Sequence, residues 1–243
     1  MWRQSSDSDR KEDDRVKKQK KTGYIQQSES FGLALLLTLA GGFLDTYTYI
    51  CRDKVFANAQ TGNIACLAIS LAQQEWLKAI RYMIPISSFV LGVTLAIHMR
   101  AWFKKNQSLH WRQAVVLLEA ALLLGVSFIP TGNIGNMIAN VIVSFTCAIQ
   151  VETFRKFNGN AFASTMCTGN LRSATEKMNE YFRTRSPEAK EKSIWYFGID
   201  VMFLVGAVLG AVFTKMLGIR AVWLCCGMLL AAFVVMIPRP EEV

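Results

Sequence analysis

Six apolar stretches, residues 31–50, 79–99, 113–129, 134–151, 194–213 and 219–237, run through this chain of 243 residues. A bilayer core about 30 Å thick is crossed by roughly 20 residues of helix, and within it only helices and closed barrels satisfy every backbone polar group. The expected fold is therefore all-α, a polytopic membrane protein whose surroundings are the lipid bilayer. A hydrophobic content of 52% fits that class. Residues 55–72 and 162–181 are ambiguous. The second stretch carries Arg172, Glu176, Lys177 and Glu180; each such side chain costs about 2.5–3.5 kcal/mol at a helix centre, so it is read as not spanning.

Orientation follows from the bases, because loops rich in Lys and Arg stay in the cytoplasm. With six spans and a cytoplasmic N-terminus, 21 of the 27 bases fall inside and only Arg52, Lys54, Lys78, Arg81, Lys215 and Arg220 outside. A seventh span over residues 55–72 would move the basic loop 100–112 outside, against that balance. The expected location is the plasma membrane.

The chain also repeats itself. Thr61-Gly62-Asn63 returns 107 positions later as Thr168-Gly169-Asn170, and the same shift lays Asp45-Thr46-Tyr47 on Glu152-Thr153-Phe154. This divides the chain into a basic cytoplasmic tail (1–27), a first repeat (28–130) and a second (131–238). Three spans per half is an odd number, so the second copy enters upside down. Such inverted repeats are common in secondary transporters, with the site near the midplane between broken or short helices. The two Thr-Gly-Asn stretches then dip in from opposite sides, where their motifs could meet. Gly relaxes the backbone, Thr and Asn are good N-caps, and free N–H groups at a helix start favour an anion or a carbonyl oxygen. The alternative is that the motif only caps and packs two helices.

The residues Gly41-Gly42-Phe43-Leu44-Asp45, Val55-Phe56-Ala57-Asn58-Ala59-Gln60-Thr61-Gly62-Asn63, Gln150 and Thr165-Met166-Cys167-Thr168-Gly169-Asn170-Leu171 resemble the YoaK family, domain of unknown function 1275. The likeness extends over roughly residues 28–237. It implies a small integral membrane protein of bacterial type and carries no activity, substrate or catalytic residue with it. Ala148 stands where many members have Gly, which implies a looser helix contact there. The candidate binding residues are Asp45, Asn58, Gln60, Thr61, Gly62, Asn63, Gln150, Thr168, Gly169 and Asn170.

Ionisable groups inside spans suggest a pathway, a proton relay or a counter-ion. Asp45, Glu119 and Asp200 are the candidates for a proton relay, with interhelical hydrogen bonding as the plain alternative for the last two. Glu152, the repeat mate of Asp45, is expected at the interface, paired with Arg155 or Lys156. Gly206-x-x-x-Gly210 favours close helix packing, within the chain or in a homodimer. Six cysteines and two histidines show no metal-ligand spacing, so neither a metal nor a cofactor is expected. Residues 16–22 of the tail could rest on anionic lipid; nucleic acid is not an expected partner, since no aromatic interleaving accompanies the bases. Residues 172–192 read as an amphipathic cytoplasmic helix with a turn at Ser186-Pro187.

Three functions compete. The first is a transporter or channel for a small solute bound between the two motifs. The second is a non-catalytic scaffold or sensor. The third is a membrane-embedded enzyme acting on lipid, disfavoured because His-Glu-x-x-His, Gly-x-Ser-x-Gly and paired-acid motifs are missing.

Overall fold

The computed structural model describes residues 29–105, 111–158, 160–162, 164 and 167–237. The basic tail with its 16–22 stretch, His110, Thr165 and Met166 lie outside the described residues. The helices are α1 (Phe31–Cys51), α2 (Gln60–Ala72), α3 (Trp76–Lys105), α4 (Trp111–Val126), α5 (Asn133–Thr153), α6 (Cys167–Thr184), α7 (Pro187–Leu217) and α8 (Val222–Val235). A two-residue antiparallel hairpin, β1 (Lys156–Phe157) and β2 (Asn160–Ala161), follows α5. Four helical stretches are long and apolar enough to cross a membrane: Phe31–Cys51, Trp76–Phe103, Asn133–Thr153 and Pro187–Val235. The last is 49 residues and is broken by a 3-10 turn, Gly218–Ala221, where Gly218 takes φ 58°. A glycine with φ 58° and ψ −134°, a backbone conformation that only glycine adopts readily, ends α7. Helix α4 has 16 residues and α8 has 14, about 24 and 21 Å at 1.5 Å per residue.

Local chemistry sets the helix limits. The hydroxyl of Ser30 accepts from Leu33 N at the start of α1, and that of Ser186 accepts from Ala189 N at the start of α7, with Pro187 in the first turn. This is the turn the sequence places at Ser186-Pro187. Both short connections, α2 to α3 and α6 to α7, turn on a non-glycine residue in the left-handed region, Gln74 (φ 59°) and Arg185 (φ 56°).

Two long helix pairs run parallel. In α1 and α7, Phe31 stacks near Trp195, Leu39 meets Gly206, Phe43 meets Gly210, and Tyr47 Oη donates to Ile219 O at 3.0 Å. In α3 and α5, Ser88 Oγ donates to Val141 O at 2.7 Å and Gly92 meets Phe145 and Ala148. Glycines set the first seam: a Cβ at Gly42, Gly206 or Gly210 would land on backbone of the facing helix. The Gly206-x-x-x-Gly210 face is thus taken by α1 of the same chain. Nor is the seam loose at Ala148. A Cβ at Gly92 would lie 2.7 Å from that of Ala148, so the glycine the contact needs sits on α3 instead.

The helix ends gather at two levels. At the first lie Glu29, which accepts from Arg112 Nη2 at 3.0 Å and from Asn158 N at 2.8 Å, and the aromatic group Phe31, Phe157, Trp195. At the second lie the ends of α1 and α4 and the start of α5, joined by Arg52. Trp76 and Trp102 mark the two levels on α3, 26 residues or about 39 Å apart, close to the thickness of a bilayer with its interfaces. The core between them joins α1, α4, α5 and α8 through Leu37, Phe43, Tyr47, Leu123, Val143, Cys147 and Leu229.

Candidate functional site

The backbone after α1 does not leave the bundle. Residues 53–59 turn back from the second level, and the loop is tied at mid-helix: Asn58 Nδ2 donates to Gly41 O at 3.1 Å and Ser144 Oγ to Ala57 O at 3.0 Å. Then α2 returns outward. The segment after α5 does the same from the first level, where Gln150 Nε2 donates to Leu37 O at 3.2 Å and to Ser164 Oγ at 3.3 Å. Leu37 and Gly41 are one turn apart on α1, about 6 Å along its axis.

The head of α2 is organised by an acid. Asp45 Oδ1 accepts from Asn58 N at 2.7 Å, and the amides of Ala57 and Ala59 also face its carboxylate. The anion that helix-start N–H groups attract is here supplied by the chain. Asn63 is fully buried; its Oδ1 accepts from Phe56 N at 3.1 Å, and its Nδ2 donates to Phe56 O at 2.7 Å and to Gln60 Oε1 at 3.0 Å. Gln60 Nε2 in turn donates to Ala57 O. Asn63 is a loop clamp and not an N-cap: α2 begins at Gln60, with Ala59 in the cap position and no side-chain cap bond. Similarly, α6 begins at Cys167, before Thr168. Ahead of α2 the loop amides of Phe56, Asn58 and Gln60 already have partners.

At the head of α6, Asn170 is buried and the Asp200 carboxylate has the Asn170 amide and the Cys167 thiol beside it. Neither Asp200 oxygen makes a hydrogen bond of good geometry. Cys167 lies within electrostatic reach of both Asp200 and Asp45, and Cys147 of both Asp45 and Glu119, with Asn58 against its thiol. Asp45 and Asn58 thus form one buried polar group beside α5, and Asp200 forms another with Asn170 and Cys167 at the head of α6. Thr61, Thr168 and Gly169 point away from both and are exposed, and Gly62 packs on the Phe56 ring. Asn58, Asn63, Gln150 and Asn170 are all between 0% and 4% exposed, so none of the four is open to solvent.

Glu152 takes the ion pair expected of it. It receives Arg155 Nη1 at 3.0 Å near the first level, and the residue that ties the second loop to α1 is Gln150. A groove along the outer face of α6 is lined by Thr168, Leu171, Arg172, Thr175 and Glu176; it lies away from both polar groups. There Arg172 bonds Glu176 at 2.8 Å and Lys177 bonds Glu180 at 2.6 Å, and each carboxylate raises its partner base above the ordinary value. Among the described residues, no group of three or more His, Cys, Asp and Glu could hold a metal ion, and the six cysteines are free.

Two features escaped the sequence. Arg52, counted there among the outside bases, is the largest fully buried side chain and donates to Val126 O and Ile129 O at 3.0 Å, Asn136 Oδ1 at 3.3 Å, and Pro130 O and Tyr47 Oη at 3.4 Å. The other is a polar stripe on α5, where Asn136, Asn140, Ser144 and Cys147 recur every three or four residues. That period was available as a helix-face signal. Asn140 Nδ2 donates to Arg52 O and Ser144 holds the first loop.

Across residues 33–235 the chain matches a family described as protein of unknown function (DUF1275). It belongs to that family. No curated protein and no solved structure matches it.

Proposed function

We propose that this protein is a transporter or channel for a small solute in the plasma membrane, with its N-terminus in the cytoplasm. In this reading it makes six crossings, α1, α3 and α4 in one half and α5, α7 and α8 in the other, as an inverted repeat. The matched element order, the exchange of parallel pairs between halves (α1 with α7, α5 with α3) and the paired turns at Gln74 and Arg185 support that arrangement. The observation that carries the proposal is the convergence of the two loops. Each enters from a different level: Asn58 of the first loop binds the Gly41 carbonyl of α1, and Gln150 of α5, which also binds Ser164 of the second loop, binds the Leu37 carbonyl one turn away. Irregular backbone at membrane depth is tolerated where it is buried in protein or lines a watery cavity, and crossed re-entrant segments at the midplane are how many transporters build a gated site. A scaffold built on the Gly206-x-x-x-Gly210 face is disfavoured, because α1 occupies that face.

The test joins the two loops covalently. Asn58→Cys is combined with native Cys167 after the other five cysteines are replaced, and a short bifunctional thiol reagent is added to proteoliposomes used for a solute-uptake screen. The expected result is a cross-link within one chain that abolishes uptake, with Asp45→Asn as the transport-deficient control. Failure to cross-link, or undiminished uptake by the cross-linked protein, would overturn the shared-site reading.

A further inference from the structure

A helix face turned to hydrocarbon is apolar, because polar groups are costly there. The exposed positions of this bundle follow the rule with one exception. Among the described residues, every exposed position of α1 over 31–48, of α4, of α5 over 134–153, of α7 over 194–212 and of α8 is apolar or glycine. Helix α3 differs. Its Ser87, Thr94 and His98 are exposed, about 22, 12 and 6 Å inside the level of Trp102. Sparse coverage alone does not account for this, since the apolar stretches of α3 and of α7 with α8 are equally bare, 22% buried each. The spacing is regular as well. Past the buried Pro85, Ser87, Thr94 and Ala101 recur every seven residues, with Leu91 and His98 between them at the same interval, all five exposed. At 100° per residue they lie within about 80° of one another. This is the a/d spacing of a left-handed helix pair. The face of α3 that α5 holds, through Ser88 and Gly92, points away from it.

Each polar group bonds its own helix: Ser87 Oγ donates to Met83 O at 3.0 Å, Thr94 Oγ1 to Val90 O at 2.8 Å, and His98 Nδ1 lies 2.7 Å from Thr94 O. These bonds leave hydroxyl lone pairs and His98 Nε2 for another partner. Lipid tails cannot supply one; a facing helix can. All copies of a membrane protein insert in one orientation, so α3 meets α3 of a second copy in parallel and each position faces itself across the two-fold axis. A lone acid or base would there meet its like charge. The stripe has neither: hydroxyls and an imidazole, which both donate and accept, are complementary to themselves.

We propose that the exposed face of α3 from Ser87 to Ala101 is the contact with a second copy of this chain, in a two-fold dimer packed α3 against α3. The inference requires α3 to cross the membrane and is independent of transport. The six native cysteines are replaced in the full-length protein, single cysteines are introduced, and membranes containing it are oxidised with copper phenanthroline. Ser87→Cys, Leu91→Cys and Thr94→Cys are expected to give a disulfide-linked dimer at least fivefold more efficiently than Leu204→Cys on α7 or Val234→Cys on α8, which sit on exposed apolar faces. Monomer at all three stripe positions, or equal linking at the two controls, would overturn the proposal. Linking of Thr94→Cys to a different protein, with no dimer, would overturn the assignment to a second copy. A second measurement uses no cysteine. Thr94→Leu combined with His98→Leu changes exposed positions only and should weaken association at least tenfold, read as energy transfer between labelled copies in liposomes at fixed protein-to-lipid ratio. Unchanged association, in protein with an unchanged unfolding midpoint, would overturn the role given to the polar stripe. The link between the two loops tests transport separately and is untouched by either result.

Discussion

A buried guanidinium without a carboxylate partner has to be stabilised by dipoles, and Arg52 has found a dense set of them. Carbonyls at the end of a helix carry its partial negative charge, and Arg52 collects those of Val126, Ile129 and Pro130 just where α4 runs out of internal donors. Its planar fork is suited to several acceptors at once, which an ammonium group cannot match. Arg52→Lys should therefore leave at least one of these carbonyls without a donor and lower stability by about 1–3 kcal/mol, seen as a lower unfolding midpoint in detergent. An unchanged midpoint would mean the fork is not needed. The sequence gives no hint of this role, since the acceptors are backbone oxygens 74 to 78 positions away and carbonyls have no residue identity. Asn63 shows the reverse case: the repeated motif drew attention to it, but its partner, the backbone of Phe56, is seven residues upstream in a loop whose course is fixed by Asp45.

Among elements, glycine spacing was legible and the partner was not. Gly206-x-x-x-Gly210 announced a close contact, yet the facing surface on α1, Leu39 to Thr46, became identifiable only once the two helices were seen to run parallel. The glycines divide into two kinds. A Cβ at Gly206 would meet the backbone of Leu39, whereas one at Gly227, inside α8, would meet nothing within 4 Å. Gly206→Ala should force the helices apart and cost roughly 1–3 kcal/mol. Gly227→Ala should gain about 0.5–1 kcal/mol from helix propensity. The two midpoints, measured side by side in detergent, are expected to move in opposite directions; a common direction would contradict the packing given for α1 and α7. The α6 segment is not among the four helical stretches long and apolar enough to cross a membrane, and its charged turns pair with one another while Ser193 Oγ bonds Ala174 O.

For the whole molecule, apolar length located every long helix but could not say how the chain would use Gly218, so two expected spans merge into one 49-residue helical stretch with a break. The proposed topology has a direct readout. With the native cysteines replaced, Lys54→Cys should react with a membrane-impermeant maleimide in intact cells, and Lys190→Cys only after permeabilisation; the opposite pattern would invert the orientation. The glycine seam between α1 and α7 also bears on how the protein is made. Leu39 must wait for Gly206, so the first helix leaves the ribosome about 165 residues before its tightest partner exists. At ~5–20 residues per second that is a delay of roughly 10–30 s, during which the helix sits in lipid or at the insertion machinery with a bare glycine at position 42. Synthesis of this protein thus includes an interval in which its most tightly packed surface is open to any other helix in the membrane.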